Sequence, residues 1–206
     1  SHAGRPTYAF EGIVIAAAST LTWLRDQLGL ASDVPALARL AAEVPDNGGV
    51  YLVPAFAGLG LPHWRPDARA AIVGLSSHSD RRHVARAAFE SIAFQVRDAL
   101  DVMRTEAGVP LVALHGDGGP TANRLLMQLC ADLCGVVLRV AALPDCSPLG
   151  AVRAGQLGLG AVPSLAALAA QPQAEEIYRP SSDRAAADRL RRGWRHAVAQ
   201  TLLSPP

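Results

Sequence analysis

A glycine-rich segment near the middle of the chain has the residue types of a ligand-binding turn. It reads Gly116-Asp-Gly-Gly-Pro-Thr-Ala-Asn123 and follows the apolar run Leu111-Val-Ala-Leu. Its glycines accept positive φ and let a ligand lie against bare backbone, while the N–H groups of a following helix attract anions. The segment lacks the G-x-G-x-x-G spacing of a dinucleotide site. A nucleotide phosphate or ribose fits such a turn, and a tight turn with purely steric glycines explains the same residues.

Other reactive side chains give weaker signals. Cys130 and Cys134 lie four residues apart on one predicted helix, but no further ligands are spaced nearby, which favours buried apolar residues over a metal site. His63 and Trp64 occupy a loop rich in glycine and proline, where they could line a ligand or simply pack. No metal ligand is predicted.

Five polar residues have mainly structural interpretations. His83 lies near the start of a predicted helix, and this position favours a capping or surface role. Asp117 fits either an Asx contact that stabilises the turn or a residue that orients magnesium or its waters. Glu90, Arg97 and Asp98 on the longest predicted helix are expected to be surface or interdomain charges.

The elements that must position these residues alternate between strand and helix. A strand-like entry at 7–10 leads through a turn into a helix that ends at Gly29. From residue 80 onward the order helix, strand, helix, strand, helix predicts a parallel sheet covered by helices. The patterns predict helices at 35–43, 80–107, 122–134 and 147–159, strands at 50–56, 70–75, 111–115 and 136–141, and peripheral helices at 163–171 and 181–201.

Composition narrows the class of protein. The 206 residues are 50% hydrophobic and 18% charged, which predicts one compact soluble domain. The formal net charge of +1, without a concentrated basic face, argues against nucleic acid as a partner. No run of apolar residues is long enough for a membrane span. The sequence contains no lysine, which excludes Schiff-base chemistry and a Walker A loop. Three cysteines, an odd number, favour a reducing, cytoplasmic location.

Several motifs in a fixed order resemble those of the FGGY family of carbohydrate kinases. The family's second signature is met by Ala70-Ala-Ile-Val-Gly-Leu75 and, after a seven-residue spacer, by His83-Val-Ala-Arg-Ala-Ala-Phe-Glu90. Around it lie Tyr8-Ala-Phe-Glu-Gly, Trp23-Leu-Arg-Asp, the 53–64 loop and Asp117-Gly-Gly-Pro-Thr-Ala-Asn123. The chain is similar to the family's C-terminal domain, and the 53–64 loop is most similar to that of its glycerol kinases.

The resemblance implies a fold, a cofactor and binding residues. It implies an actin-like, ribonuclease H-like α/β domain whose mixed sheet is covered by helices, and an intact enzyme that binds ATP and Mg²⁺ between two domains. The γ-phosphoryl group would pass to a hydroxyl of a small polyol or sugar. Gly118, Gly119 and Asn123 match the family's nucleotide turn. At two further nucleotide positions of the family, Ala18 and Thr22 replace a glycine and a glutamine. These replacements lower the expected affinity for the nucleotide.

The resemblance also predicts what this chain does not contain. Residues 1–206 would form one C-terminal nucleotide-binding domain, with 160–206 as peripheral helices and the N-terminal substrate domain absent. That domain would supply the catalytic aspartate, so no catalytic residue is assigned and the chain alone is expected to be inactive. A phosphate-binding turn is also expected just upstream of Tyr8, where residues 1–7 do not match it. The chain would then be a fragment of a longer kinase or a split-gene product.

A second function stays open at this point. Ala18, Thr22 and the missing upstream turn are also compatible with a non-catalytic nucleotide-binding or interaction module that kept the scaffold and lost the kinase. The sequence does not identify the polyol or sugar. It leaves both a monomer and a homodimer open.

Overall fold

The computed structural model describes residues 6, 8–108, 110–143, 145–181 and 183–203. Two helices and two strands come first, and from residue 81 onward helices and strands largely alternate. The helices are α1 (Ala18–Asp26), α2 (Val34–Ala42), α3 (Arg81–Ala107), α4 (Arg124–Cys134), α5 (Ser147–Gly158), α6 (Leu165–Ala169) and α7 (Arg184–Leu203). The strands are β1 (Tyr51–Val53), β2 (Ala71–Val73), β3 (Ala113–Gly116), β4 (Val137–Ala141) and β5 (Glu175–Tyr178). None of the helices in these ranges is long and apolar enough to cross a membrane.

The long helix α3 has the ends that its sequence predicts. Asp80 is its N-cap, and the Asp80 side chain accepts a hydrogen bond from the backbone N–H of Arg82 at 2.8 Å. The His83 ring accepts from the backbone N–H of Asp80 at 3.2 Å and completes a capping box. Gly108 ends the helix in the left-handed conformation, with φ of 61°. The predicted capping role of His83 is confirmed.

The principal sheet is mixed. β3 and β4 are parallel, with Leu114 opposite Leu138, and the crossover between them carries α4, as the strand–helix alternation predicts. β5 then pairs antiparallel with β4, with Leu138 opposite Tyr178. The order is β3-β4-β5. A separate antiparallel pair is formed by β1 and β2.

The core lies around α3, which packs against α2, α4 and β1. Phe89 and Phe94 of α3 are fully buried, and the Phe94 ring stacks on Trp194 of α7 with centroids 5.3 Å apart. Burial of these aromatic side chains is a large hydrophobic contribution to stability. The expectation that 160–206 forms only peripheral helices is incomplete, because this region supplies β5 to the sheet and Trp194 to the core.

The expected strand at 7–10 does not form over its described part. Tyr8 and Phe10 have no regular secondary structure and are exposed, because no strand is paired with them in the described chain and a strand needs a paired neighbour. Helix α1 begins only at Ala18. The segment before it is tied to α3, where Gln95 Nε2 donates to the carbonyl of Ala16 at 3.0 Å.

Two charged residues of α3 that were expected at the surface or between domains instead make contacts within this domain. Glu90 is 0% exposed and its Oε1 accepts from Arg86 Nε at 2.7 Å, and burial raises the pKa of Glu90 to about 7. Arg97 donates to the carbonyls of Leu133 and Cys134 at 3.0 and 3.1 Å. The Arg97 guanidinium thus satisfies two backbone carbonyl groups at the C-terminal end of α4, where carbonyls have no partner within the helix.

The two cysteines of α4 are packing residues. Cys130 and Cys134 are buried free thiols, and burial raises the pKa of each to about 12. A thiol held protonated in this way is a poor nucleophile and a poor metal ligand. Across the described ranges, no three His, Cys, Asp or Glu side chains are grouped so as to hold a metal ion.

Candidate nucleotide cleft

An open cleft of about 720 Å³ lies between α1, α2 and the segment that precedes and opens α4. Four of the five predicted nucleotide residues line it: Ala18 and Thr22 from α1, and Gly119 and Asn123 from the opposite side. The fifth, Gly118, is the neighbour of Gly119 in the same turn and is not part of the lining. The fold thus brings together residues that lie about a hundred positions apart in the sequence.

The glycine turn has the backbone shape that a close ligand requires. β3 ends at Gly116, and Gly118 follows with φ of 94°, a conformation that favours glycine. The Thr121 hydroxyl donates to the carbonyl of Gly118 at 2.7 Å and closes the turn. A Cβ built on Gly119 would have no heavy atom within 4 Å. This part of the turn is therefore open to a ligand.

Asn123 joins the turn to α4. A short 3-10 helix, Gly119–Ala122, brings it to the N-cap position, where its Oδ1 accepts from the backbone N–H of Leu126 at 3.0 Å. The amide nitrogen Nδ2 is then the atom that can donate to a ligand in the cleft. The positive end of the helix dipole lies at the same place, which favours an anionic group.

The opposite walls are mainly apolar. In α1 the Thr22 hydroxyl lies 3.5 Å from the carbonyl of Ala18, one helical turn away. Helix α2 starts at its N-cap Asp33, whose Oδ1 accepts from the N–H of Ala36 at 2.6 Å, and turns Val34 and Ala38 into the cleft. A flat aromatic ring is the kind of group that such walls can hold.

The sequence did not indicate that α2 forms one wall of the cleft or that two arginine side chains line it. Arg39 of α2 and Arg124 of α4 also line the cleft. Arg124 is highly exposed and pairs with Glu176 at 3.4 Å, a weak surface ion pair that could exchange for a ligand anion. The amphipathic pattern of α2 predicts a helix, but nothing in its sequence indicates which element it faces. Only the packed structure identifies these residues.

Asp117 and the 63–64 pair lie outside the cleft lining. The Asp117 Oδ2 accepts from the backbone N–H of Cys146 at 3.1 Å, so it ties the turn to the segment before α5 rather than forming a local Asx turn. His63 lines a different cavity, against α3 and α7, and Trp64 is 61% exposed. Among the described residues, the lining of the cleft contains no carboxylate.

Comparison with known proteins identifies the family of the chain. Residues 1–159 match the family model described as the FGGY family of carbohydrate kinases, C-terminal domain. The chain is 45% identical over 198 residues to a glycerol kinase of Pseudarthrobacter chlorophenolicus, covering 96% of this chain and 39% of that protein. It is 46% identical over 197 residues to a glycerol kinase of Trichlorobacter lovleyi, covering 96% of this chain and 40% of that protein.

The fold matches as well. The crystal structure of Plasmodium falciparum glycerol kinase with ADP superposes with a TM-score of 0.84 at 29% identity, covering 93% of this chain and 38% of that one. The chain thus spans about two fifths of the length of the curated relatives that it matches. The match extends through α1, the 53–64 loop and the glycine turn. This chain therefore belongs to the FGGY family of carbohydrate kinases and is similar to the C-terminal domain of the glycerol kinases.

Proposed function

We propose that this chain is the ATP-binding part of a glycerol-kinase-like enzyme, which uses MgATP to phosphorylate a hydroxyl of a small polyol or sugar. The observation that carries the proposal is the convergence of Ala18, Thr22, Gly119 and Asn123 on one cleft. The Plasmodium falciparum glycerol kinase was crystallised with ADP, which supports a nucleotide as the ligand of the family. The glycerol kinase relatives support a polyol as the phosphoryl acceptor.

The cleft would hold the two ends of the nucleotide differently. The base would pack between the apolar walls of α1 and α2, where the lining offers Leu21, Val34 and Ala38. The phosphates would lie along the Gly118–Gly119 backbone, near the start of α4, where unpaired N–H groups and the helix dipole favour negative charge. The Asn123 amide nitrogen would donate to the nucleotide between these two regions.

The chain would bind magnesium only together with the nucleotide. Because the described lining contains no carboxylate, Mg²⁺ would bind to the phosphates and not to ligands from this cleft. When bound, the ion supplies charge neutralisation for phosphoryl transfer. Transfer also needs a base and contacts from the far side of the nucleotide. We therefore infer that this chain alone does not catalyse transfer.

The described cysteines are free thiols, which are typical of proteins in a reducing compartment. We infer that the protein is cytoplasmic.

Calorimetric titration with MgATP tests the binding step. We expect the unaltered chain to bind MgATP and the Gly119→Val variant to bind it at least ten-fold more weakly, because the branched side chain would occupy the ligand's space. Gly155→Val in α5 is the matched control, since a Cβ there also has no heavy atom within 4 Å and lies outside the cleft. Equal affinity in all three proteins would show that the turn is not the nucleotide site, and no binding at all would remove the proposal.

A second candidate is a nucleotide-binding module that has lost the kinase activity. Two lining residues favour it: Ala18 carries a methyl group where the family pattern has a glycine, and Thr22 has a short side chain whose hydroxyl lies near the carbonyl of Ala18 in its own helix. An assay of glycerol phosphorylation separates the candidates when this chain is joined to the N-terminal domain of a glycerol kinase relative. Phosphorylation supports the kinase. MgATP binding without any transfer in that folded fusion supports the module.

A further inference from the structure

A second cavity, of about 280 Å³, lies between α3, α7 and the loop at residues 62–63. We call it the α3–α7 cavity. It shares no lining residue with the nucleotide cleft. Its floor contains Trp194, which is 2% exposed and donates through Nε1 to Oδ2 of Asp98 at 2.7 Å. The volume is just below the range of about 300–1,000 Å³ that is usual for small-molecule sites, so only a small ligand fits.

Three ionisable side chains with displaced pKa values line the α3–α7 cavity. Burial raises the pKa of Asp98 and lowers the pKa values of His63 and Arg191. Each shift has desolvation as its largest cause, and all three side chains are partly buried. Displaced pKa values that converge on one concave site are a feature of binding and catalytic sites. No role in the nucleotide cleft accounts for them.

The charges around the cavity balance. Asp98 and Asp101 carry two negative charges, Arg191 and Arg195 carry two positive charges, and the lowered pKa of His63 favours its neutral form. A small cation would meet both arginines, and a small anion would meet both aspartates. A neutral ligand avoids both repulsions.

The hydrogen-bonding groups left for a ligand include both donors and acceptors. Asp101 is already paired with Arg97 at 2.9 Å and with Arg191. In the described part of the chain, Asp98 Oδ1 accepts no hydrogen bond and the Arg195 guanidinium donates none. A hydroxyl group of a ligand can donate to Asp98 Oδ1 and accept from the Arg195 guanidinium. Apolar side chains such as Val102, Val198 and Leu202 complete the lining and suit C–H groups.

We propose that the α3–α7 cavity is a binding site for a small neutral polyhydroxylated molecule, separate from the nucleotide cleft. Hydroxyl groups bridge Asp98 and Arg195, and the carbon skeleton packs on the apolar wall. The proposal does not rest on the proposed function, because it uses none of the residues of the cleft.

The Trp194 indole is a built-in reporter for this site. The chain has three tryptophans, so a ¹⁵N-labelled sample gives three indole N–H signals in solution NMR, and Trp194→Phe identifies the signal of Trp194. Glycerol is the probe. We expect a saturable shift of the Trp194 signal, with an apparent Kd on the order of 1–10 mM. We expect no saturable shift at Trp64, which is 61% exposed and does not line the cavity.

Two variants at one helix separate binding from folding. Arg195→Gln should weaken glycerol binding roughly five- to ten-fold, as expected when a ligand loses a hydrogen bond. Arg192→Gln is the matched control, because Arg192 is exposed on the same helix and does not line the cavity. Asp98→Asn keeps an acceptor for the Trp194 indole and should also weaken binding.

Three results would overturn the proposal. The first is a linear, equal drift of all three indole signals, which is a solvent effect. The second is saturation by methylammonium chloride or inorganic phosphate in place of glycerol, which would assign the cavity to an ion. The third is an unchanged Kd in Arg195→Gln. Each readout is independent of MgATP, so failure here leaves the nucleotide proposal standing and failure of nucleotide binding leaves this one standing.

Discussion

The Trp194 indole and the Asp98 carboxylate join the last helix to the longest one, through the 2.7 Å bond from Nε1 to Oδ2. Phe94 stacks on the same indole, so Trp194 combines an apolar contact with a polar one in a site that is almost fully buried. Buried indoles in proteins generally find such an acceptor. The pair fixes α7 against α3.

Replacing this indole tests how strongly α7 is held. Trp194→Phe removes the donor to Asp98 and leaves unfilled space, and we expect the free energy of unfolding to fall by about 2–4 kcal/mol. Urea denaturation followed by circular dichroism measures it. Trp64→Phe at an exposed position is the control and should change stability by less than about 0.5 kcal/mol. Equal effects of the two substitutions would show that the Trp194 contacts do not stabilise the fold.

The two glycines of the turn should differ in what they tolerate. A Cβ built on either glycine has no heavy atom within 4 Å, but Gly118 has φ of 94°, whereas the φ of Gly119 lies outside the range that favours glycine. We expect Gly118→Ala to lower the free energy of unfolding by about 1–2 kcal/mol and Gly119→Ala to change it by less than about 0.5 kcal/mol. Thermal and urea unfolding check the contrast. The turn geometry would be wrong if Gly119→Ala were the more damaging substitution.

Asn123 is the N-cap of α4 and, in the proposed function, also a donor to the nucleotide, and the two roles can be separated. Asn123→Ala removes the acceptor for the Leu126 N–H and should cost about 1 kcal/mol of stability. Asn123→Asp keeps the cap but replaces the Nδ2 donor with a negative charge. We expect its stability to match the unaltered chain while its MgATP affinity in calorimetry falls at least ten-fold. Retained affinity in Asn123→Asp would limit Asn123 to the capping role.

Glu90 should make stability depend on pH. Its pKa is raised from 4.5 to about 7 by burial, so its contribution is fully present below pH 4.5 and is lost as the pH rises through 7. The loss is roughly 3 kcal/mol at about 1.36 kcal/mol per pKa unit. Glu90→Gln cannot ionise and should not show this loss.

Measuring unfolding free energies of both proteins between pH 4.5 and 7.5 isolates this residue. Burial also raises the pKa of Asp98, which acts in the same direction, so the difference between the two proteins is the relevant quantity. We expect the stability of Glu90→Gln relative to the unaltered chain to increase with pH across this range. Parallel curves would mean that Glu90 stays ionised in the folded state.

Local signals in the sequence predicted most of the elements. The predicted helices at 80–107 and 122–134 begin and end within two residues of α3 and α4, because helix ends depend on residues next to one another in the chain, such as His83 at the start of α3. The strand-like residues 8–10 misled the prediction, since strand formation depends on a partner that no local pattern shows. The antiparallel β5 was missed for the same reason: its short Glu175–Tyr178 segment alternates weakly and is specified by pairing with β4.

The candidate site was predictable only where it follows a family motif. Gly119 and Asn123 lie in a recognisable turn, and Ala18 and Thr22 were located through the resemblance; their common cleft required the folded structure. Arg39 and Arg124 carry no motif and were missed. Glu90 and Asp98 were expected at the surface or between domains, because a charged residue in a helical pattern is usually solvated. Their withdrawal from solvent depends on contacts with Arg86 and Trp194, which come from the packed structure.

The C-terminal strand and helix also define where this domain can be cut. The family match ends at residue 159, yet the partner strand of β4 and the indole that covers Phe94 both come later in the chain. A polypeptide trimmed to the matched residues would leave one edge of β4 unpaired and an aromatic surface on α3 open to water. Such a product would tend to aggregate during expression, so the unit to clone and express should include α7 through Leu203.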